Sequence, residues 1–225
     1  MRTSTIIVAV VAVLMLVGTP AVHATPVVIG GLTFDSDAFP TQLRSATGTF
    51  YLLQDGAEPG WNSWGPVNLP GNASDFITLE SSLTGHDLDT AGELHTGAVV
   101  DLGWGALWPA NGPGADLVVY EMGHPEPFTV QANGITLLFT PVDQGFYSPH
   151  GGLSVNAAFI DLEDFGLASG HAVDHIVMST TVTGDEWDAP DIGAVGAINT
   201  VVPEPATLVL LAVAGTGLLR KRRQR

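Results

Sequence analysis

Between residues 27 and 200 the apolar positions fall in short runs that lack helical periodicity. The runs are GTFYLL (48–53), DFITLE (75–80), GAVVDLGW (97–104), DLVVYE (116–121), FTVQA (128–132), ITLLFT (135–140) and HIVMSTTV (175–182). They are rich in β-branched and aromatic residues, which pack well on a pleated surface. Gly and Pro punctuate them at Gly30-Gly31, Pro59-Gly60, Pro70-Gly71, Gly112-Pro113-Gly114 and Gly151-Gly152. Asn133-Gly134 lies between two runs and predicts a two-residue hairpin, because both residues tolerate positive φ. Short strands at regular spacing predict an all-β fold, a jelly-roll-like β-sandwich. The stretch FIDLEDFGLASG (159–170) is expected to hold one helical turn.

The two ends of the chain read differently. Arg2 precedes an apolar run, Ile6–Val17, which Pro20 breaks before Val22-His23-Ala24. A basic start, a short apolar core and small residues before a cleavage point describe a secretory signal peptide over residues 1–24. At the other end, Ala206–Leu219 is 14 residues without a charge. As a single hydrophobic helix it would reach about 21 Å, short of a hydrocarbon core of roughly 30 Å. Arg220, Lys221, Arg222 and Arg223 follow it and supply a stop-transfer signal. Pro203 and Pro205 flank Glu204 and favour an extended peptide just before the helix. The expected organisation is a signal peptide over 1–24, an acidic domain over 25–200 and a sorting segment over 201–225.

Charge sharpens this division. The span from 25 to 200 holds 22 acids and one base, Arg44, a balance of −21 with His neutral. Such a surface repels phosphate backbones, so no nucleic-acid partner is expected. It attracts divalent cations. The chain has no cysteine, which excludes disulfides and thiolate metal sites.

Val202-Pro203-Glu204-Pro205, the apolar stretch and the arginine-rich tail together resemble the PEP-CTERM sorting signal. The resemblance implies a protein exported to the envelope, outer surface or matrix of a Gram-negative bacterium and processed by an exosortase. Membrane contact through 206–219 would then be transient. A second resemblance covers HTGAVVDLGW, NGPGADLVVYEMGHPEPFTVQANG, DLEDFGLASGHAVDHI and DAPDIGAVGAIN. These stretches are similar to discoidin-like or carbohydrate-binding-module sandwiches of surface proteins in the same sorting class. That likeness implies a binding role and brings no catalytic residues with it.

Candidate chemistry is sparse. Asp116 and Glu121 bracket DLVVYE, with Asn111 and Glu126 nearby, and Asp188 and Asp191 belong to a later acidic cluster with Asp185 and Glu186. Oxygen ligands at strand ends suit calcium, which takes 6–8 of them. The alternative is that they are solvated loop carboxylates, with Asp116 holding its turn. His171 and His175 stand four apart, but no Glu follows the first, so the zincin pattern is absent. Trp61 and Trp64 in PGWNSWGP offer a surface on which sugar rings could stack. The alternative for these, and for Trp104 and Trp108, is that they plug the ends of the sandwich. There is no Gly-x-Ser-x-Gly elbow and no cysteine nucleophile. The expectation is a non-enzymatic surface or biofilm-matrix protein that binds exopolysaccharide, with calcium as its one candidate cofactor. The competing expectations are a structural acidic surface protein without a discrete ligand and a secreted polysaccharide-active hydrolase.

Overall fold

The structure, a computed structural model, describes residues 25–54, 62–68, 73–86, 88, 90–149, 152–180 and 189–203. Its strands are β1 (Pro26–Ile29), β2 (Leu32–Asp35), β3 (Gln42–Thr47), β4 (Thr49–Gln54), β5 (Asn62–Asn68), β6 (Thr90–Leu94), β7 (Val99–Gly103) and β8 (Trp108–Pro109). Then come β9 (Leu117–Met122), β10 (Phe128–Ala132), β11 (Ile135–Phe139), β12 (Val142–Tyr147), β13 (Ser154–Ile160), β14 (His175–Thr180), β15 (Asp191–Ala197) and β16 (Thr200–Val201). They form a five-stranded sheet in the order β11-β10-β14-β7-β3 and a seven-stranded sheet in the order β12-β13-β9-β15-β6-β4-β5. Two ribbons, β1-β2 and β16-β8, complete the set among the described residues. The paired strands run antiparallel throughout.

The chain passes repeatedly between the two large sheets. The steps β3 to β4, β6 to β7, β9 to β10, β11 to β12 and β14 to β15 each leave one sheet and enter the other. A single apolar cluster joins them: Phe50, Leu94 and Val119 from the larger sheet meet Val100, Leu102, Phe128 and Met178 from the smaller. Burial of each such side chain contributes about 1.5–3 kcal/mol, so this cluster is the main source of stability.

The expected strands are present at 49–54, 99–103, 117–122, 128–132, 135–139 and 175–180. The expected hairpin is present too. Asn133 (φ 49) and Gly134 (φ 75) are both left-handed, and Ala132 faces Ile135 across the turn. The helical turn expected within 159–170 is a 3-10 turn, Leu162–Phe165, capped by Asp161, whose carboxylate accepts from the Glu163 N–H. DFITLE (75–80) is a correction. It lies inside an α-helix, α1 (Ala73–Thr84), not a strand. Read over the longer stretch, the apolar residues Phe76, Leu79 and Leu83 recur at helical spacing. Leu79 and Leu83 are fully buried, and Glu80 accepts the Leu43 N–H at 2.9 Å, which ties the helix to β3. A six-residue apolar window cannot separate strand from helix, and tertiary packing decided the matter.

Small residues make room for what lies against the sheet. A Cβ at Gly92 would sit 2.8 Å from Leu83 Cδ2, and one at Gly196 would sit 2.7 Å from Phe34 Cε1. Helix α1 and the β1-β2 ribbon therefore approach β6 and β15 closely because those strands carry glycine. Tyr120 contacts Phe34 edge-on at a centroid distance of 6.5 Å, and its hydroxyl donates to the Ile29 carbonyl. Burial pushes that phenol up to about 12.

Gly48 joins β3 to β4 at φ +101, and a Cβ there would meet Ala98 Cα at 2.7 Å. Gly114 has a similar φ of +76 but faces open space. Gly48→Ala is therefore expected to cost about 3 kcal/mol or more, since strain and backbone overlap add. Gly114→Ala should cost about 1 kcal/mol from strain alone. Urea denaturation of both variants checks this ordering.

Candidate functional site: a buried carboxylate row and the exit to the sorting segment

The register of the larger sheet assembles a polar row in its interior. Asn156 on β13 stands opposite Glu121 on β9, which stands opposite Ile192 on β15. Asp191 precedes Ile192 and pairs with Glu93 on β6, which faces Tyr51 on β4. A register shift between Ile192 and Ala194 accompanies this end of β15. Glu126 joins from the connection between β9 and β10. Every one of these acids is buried: Glu121 is 0% exposed, Glu93 4%, Glu126 8% and Asp191 8%.

The electrostatics follow from that burial. Asn156 Nδ2 donates to Glu121 Oε2 at 2.6 Å and to the Gly123 carbonyl at 3.1 Å. Glu121 Oε1 and Asp191 Oδ1 have no hydrogen-bond partner. Burial pushes the Glu121 carboxyl up to about 10, helped by its hydrogen bond to Glu126, by the Glu126 charge and by the Asp191 charge, while Asn156 opposes the shift. Asp191 is also raised well above the usual carboxylate range, by burial first and then by Glu93 and Glu126. Among the described residues no lysine or arginine offsets this charge. Arg44 is the one base between 25 and 203, and it pairs with Asp174 at 3.1 Å and Asp101 at 3.8 Å.

Asp116 does a different job at the other end of β9. Its Oδ1 accepts from the Gly112 N–H and from Asn199 Nδ2, both at 2.7 Å, and its Oδ2 accepts from the Leu162 N–H at 2.8 Å. Its own carbonyl accepts from Ile198 N–H at 2.7 Å. One carboxylate thus fastens the Gly-Pro-Gly turn, the 3-10 turn and the last stretch of the domain. Five residues of extended strand place it about 17 Å from Glu121. The structure therefore brings Glu121 and Asp191 together and leaves Asp116 apart. Asp188, with Asp185 and Glu186, lies outside the described residues. Glu126, which the sequence already set near Glu121, joins Glu121 and Asp191, and Glu93 and Asn156 are the partners that sequence spacing did not assemble.

The remaining candidates are placed as follows. His175 Nδ1 lies 2.7 Å from Asp174 Oδ1 and this contact holds the Asp174 carboxyl below its ordinary value. Among the described residues, no group of three or more His, Asp and Glu side chains stands ready-made around a metal position. Trp104 is buried and donates its indole N–H to the Ala38 carbonyl at 2.9 Å. Trp108 sits in β8 beside Val201. Trp61 lies outside the described residues, and Trp64 is described only by its place in β5. Among the described residues, exposed aromatic area is found at Tyr147 (67%) on β12 and Phe159 (47%) on β13.

The chain leaves the domain through β16, where Thr200 pairs with Pro109 and Val201 with Trp108. Val202 is 70% exposed. Pro203 ends the described residues, so Glu204, Pro205, the apolar stretch 206–219 expected to be helical and Arg220, Lys221, Arg222 and Arg223 lie beyond them, as does the signal peptide 1–24. Among the described residues no helix is long and apolar enough to cross a membrane.

Comparison with known families places a PEP-CTERM protein-sorting motif at residues 201–223. The motif implies export to the cell surface of a Gram-negative bacterium and processing by an exosortase. No curated protein and no solved structure matches the chain.

The raised Glu121 carboxyl has a measurable sign. In the folded chain it keeps a proton that the unfolded chain releases near 4.5, up to about 10. Unfolding then releases a proton, so stability falls as pH rises through that window. In metal-free buffer the melting temperature should decline from about pH 5 to about pH 9, with a slope of up to about 1.4 kcal/mol per pH unit per proton. Glu121→Gln should flatten the decline, as followed by circular dichroism melts across pH.

Proposed function

We propose that the chain is a secreted, non-enzymatic surface or matrix protein that an exosortase processes and that binds extracellular polysaccharide. The observation that carries this reading is the sorting motif at 201–223, which begins in the strand that closes the domain. The domain is displayed and the tail is an address. Its two large sheets share one core and exchange strands repeatedly, which supports a jelly-roll-like β-sandwich of the discoidin-like or carbohydrate-binding kind. Exposed Tyr147 and Phe159 supply aromatic area against which sugar rings can stack. Trp61 and Trp64 are further candidates for the same task.

The non-enzymatic reading rests on placement. The strongly perturbed carboxyls, Glu121 and Asp191, are buried in the larger sheet, which supports a structural role for them. A structural acidic surface protein without a discrete ligand is the second reading, favoured by the balance of 22 acids to one base between 25 and 200.

Two measurements test the proposal. Intact mass of the protein recovered from its native envelope should show a chain that begins near Thr25 and lacks Arg220–Arg225. Recovery of the chain through Arg225 would refute processing. The mature protein should bind the exopolysaccharide of its own host on a glycan array, and Tyr147→Ala should weaken that binding by about fivefold to tenfold, the worth of one stacking contact. Absence of glycan binding would favour the structural reading.

A further inference from the structure

We propose that Glu121, Glu126 and Asp191, with Glu93 and Asn156 beside them, form an interior site for one divalent cation of the calcium class. The argument starts from atoms that lack partners. Glu121 is fully buried and Asp191 nearly so, yet Glu121 Oε1 and Asp191 Oδ1 accept no hydrogen bond. Buried polar atoms in native proteins are overwhelmingly satisfied, and an exception points to something that completes it. Sheet register sets other carboxylates beside them: Glu121 stands across from Ile192, next to Asp191, and Asp191 stands across from Glu93.

Among the described residues no lysine or arginine is available to complete them. Arg44 is the single base between residues 25 and 203, and it is engaged by Asp101 and Asp174. Protons can neutralise part of the row, and Glu121 and Glu126 share one hydrogen bond as they stand. A divalent ion neutralises two charges at once and displaces that shared proton. Side-chain movement is part of this step, because no three acidic or histidine side chains among the described residues are gathered around a metal position beforehand.

The donor set selects the ion. Carboxylate and amide oxygens are hard ligands, and neither sulfur nor a histidine pair belongs to the row. Calcium accepts an irregular shell of 6–8 oxygens at 2.3–2.6 Å, whereas magnesium demands a regular octahedron and gives up water reluctantly. The donors come from β6, β9, β13, β15 and the connection after β9, so the site exists only in the folded chain. Binding there stabilises the fold by mass action.

The test uses the mature protein, stripped with chelator and then given calcium chloride, or sodium chloride at equal ionic strength. Equilibrium dialysis should find one calcium per chain. At calcium about 100 times the dissociation constant, the melting midpoint should exceed the sodium value by about 5–10 °C. Glu121→Gln should lose both the bound ion and the calcium increment. In chelator it should melt at or above the wild type, because an amide does not carry the proton that Glu121 must hold to stay buried and releases on unfolding. Asp191→Asn should also lose the increment, and Asp164→Asn, exposed on the 3-10 turn Leu162–Phe165, should keep it. Equal midpoints in the two salts would overturn the proposal. So would dialysis well below one ion per chain, or an increment that survives in both Glu121→Gln and Asp191→Asn.

Discussion

The pairing of β9 with β15 is the constraint on which the rest of the structure depends. Both strands are buried along their whole length, at the centre of the larger sheet. A strand covered on both faces cannot alternate apolar with polar, so β9 runs as Leu-Val-Val-Tyr-Glu-Met and β15 is built from small residues. The small residues admit Phe34 from the first ribbon, and the large ones of β9 fill the space on either side. Each end of this pair then carries an acid in the interior. At the start of β9, Asp116 binds three donors and holds the chain that leaves β15. Toward its end, Glu121 meets Asp191 at the beginning of β15.

These two acids have the same residue chemistry at most one carbon apart, and opposite environments. Asp116 is surrounded by N–H donors. Glu121 is buried beside other carboxyls, which disfavours its ionised form. One is a finished structural fastening, and the other is an unfinished one. The difference comes from what the connections deliver to each end: a Gly-Pro-Gly turn and a 3-10 turn at one, and Glu126 at the other.

The fastening at Asp116 also bears on export. Asn199 and Ile198 are tied to it immediately before β16 clips Val201 against Trp108. The sorting segment therefore emerges from a fixed point on the domain, and few residues separate the last strand from Pro203-Glu204-Pro205.

The sequence by itself determined the parts that depend on local chemistry. The Pro-Glu-Pro motif, the apolar stretch and the arginine cluster are read linearly by export and sorting machinery, and the family comparison agrees with that reading for 201–223. The Asn133-Gly134 turn and the strands around it were legible because two-residue hairpins have one favoured chemistry. The short helical turn was legible through Asp161 and Gly166, which cap it. What the tertiary structure decided was everything that depends on strands distant in the chain. DFITLE became helical because Leu79 and Leu83 found Gly92. Asp116 and Glu121, neighbours in sequence, were separated because an extended strand carries them to opposite ends. Glu121 and Asp191, 70 residues apart in number, were joined with Glu93 and Asn156 by sheet register. Strand order is set by which hydrophobic faces bury one another, and no short stretch of sequence contains that information.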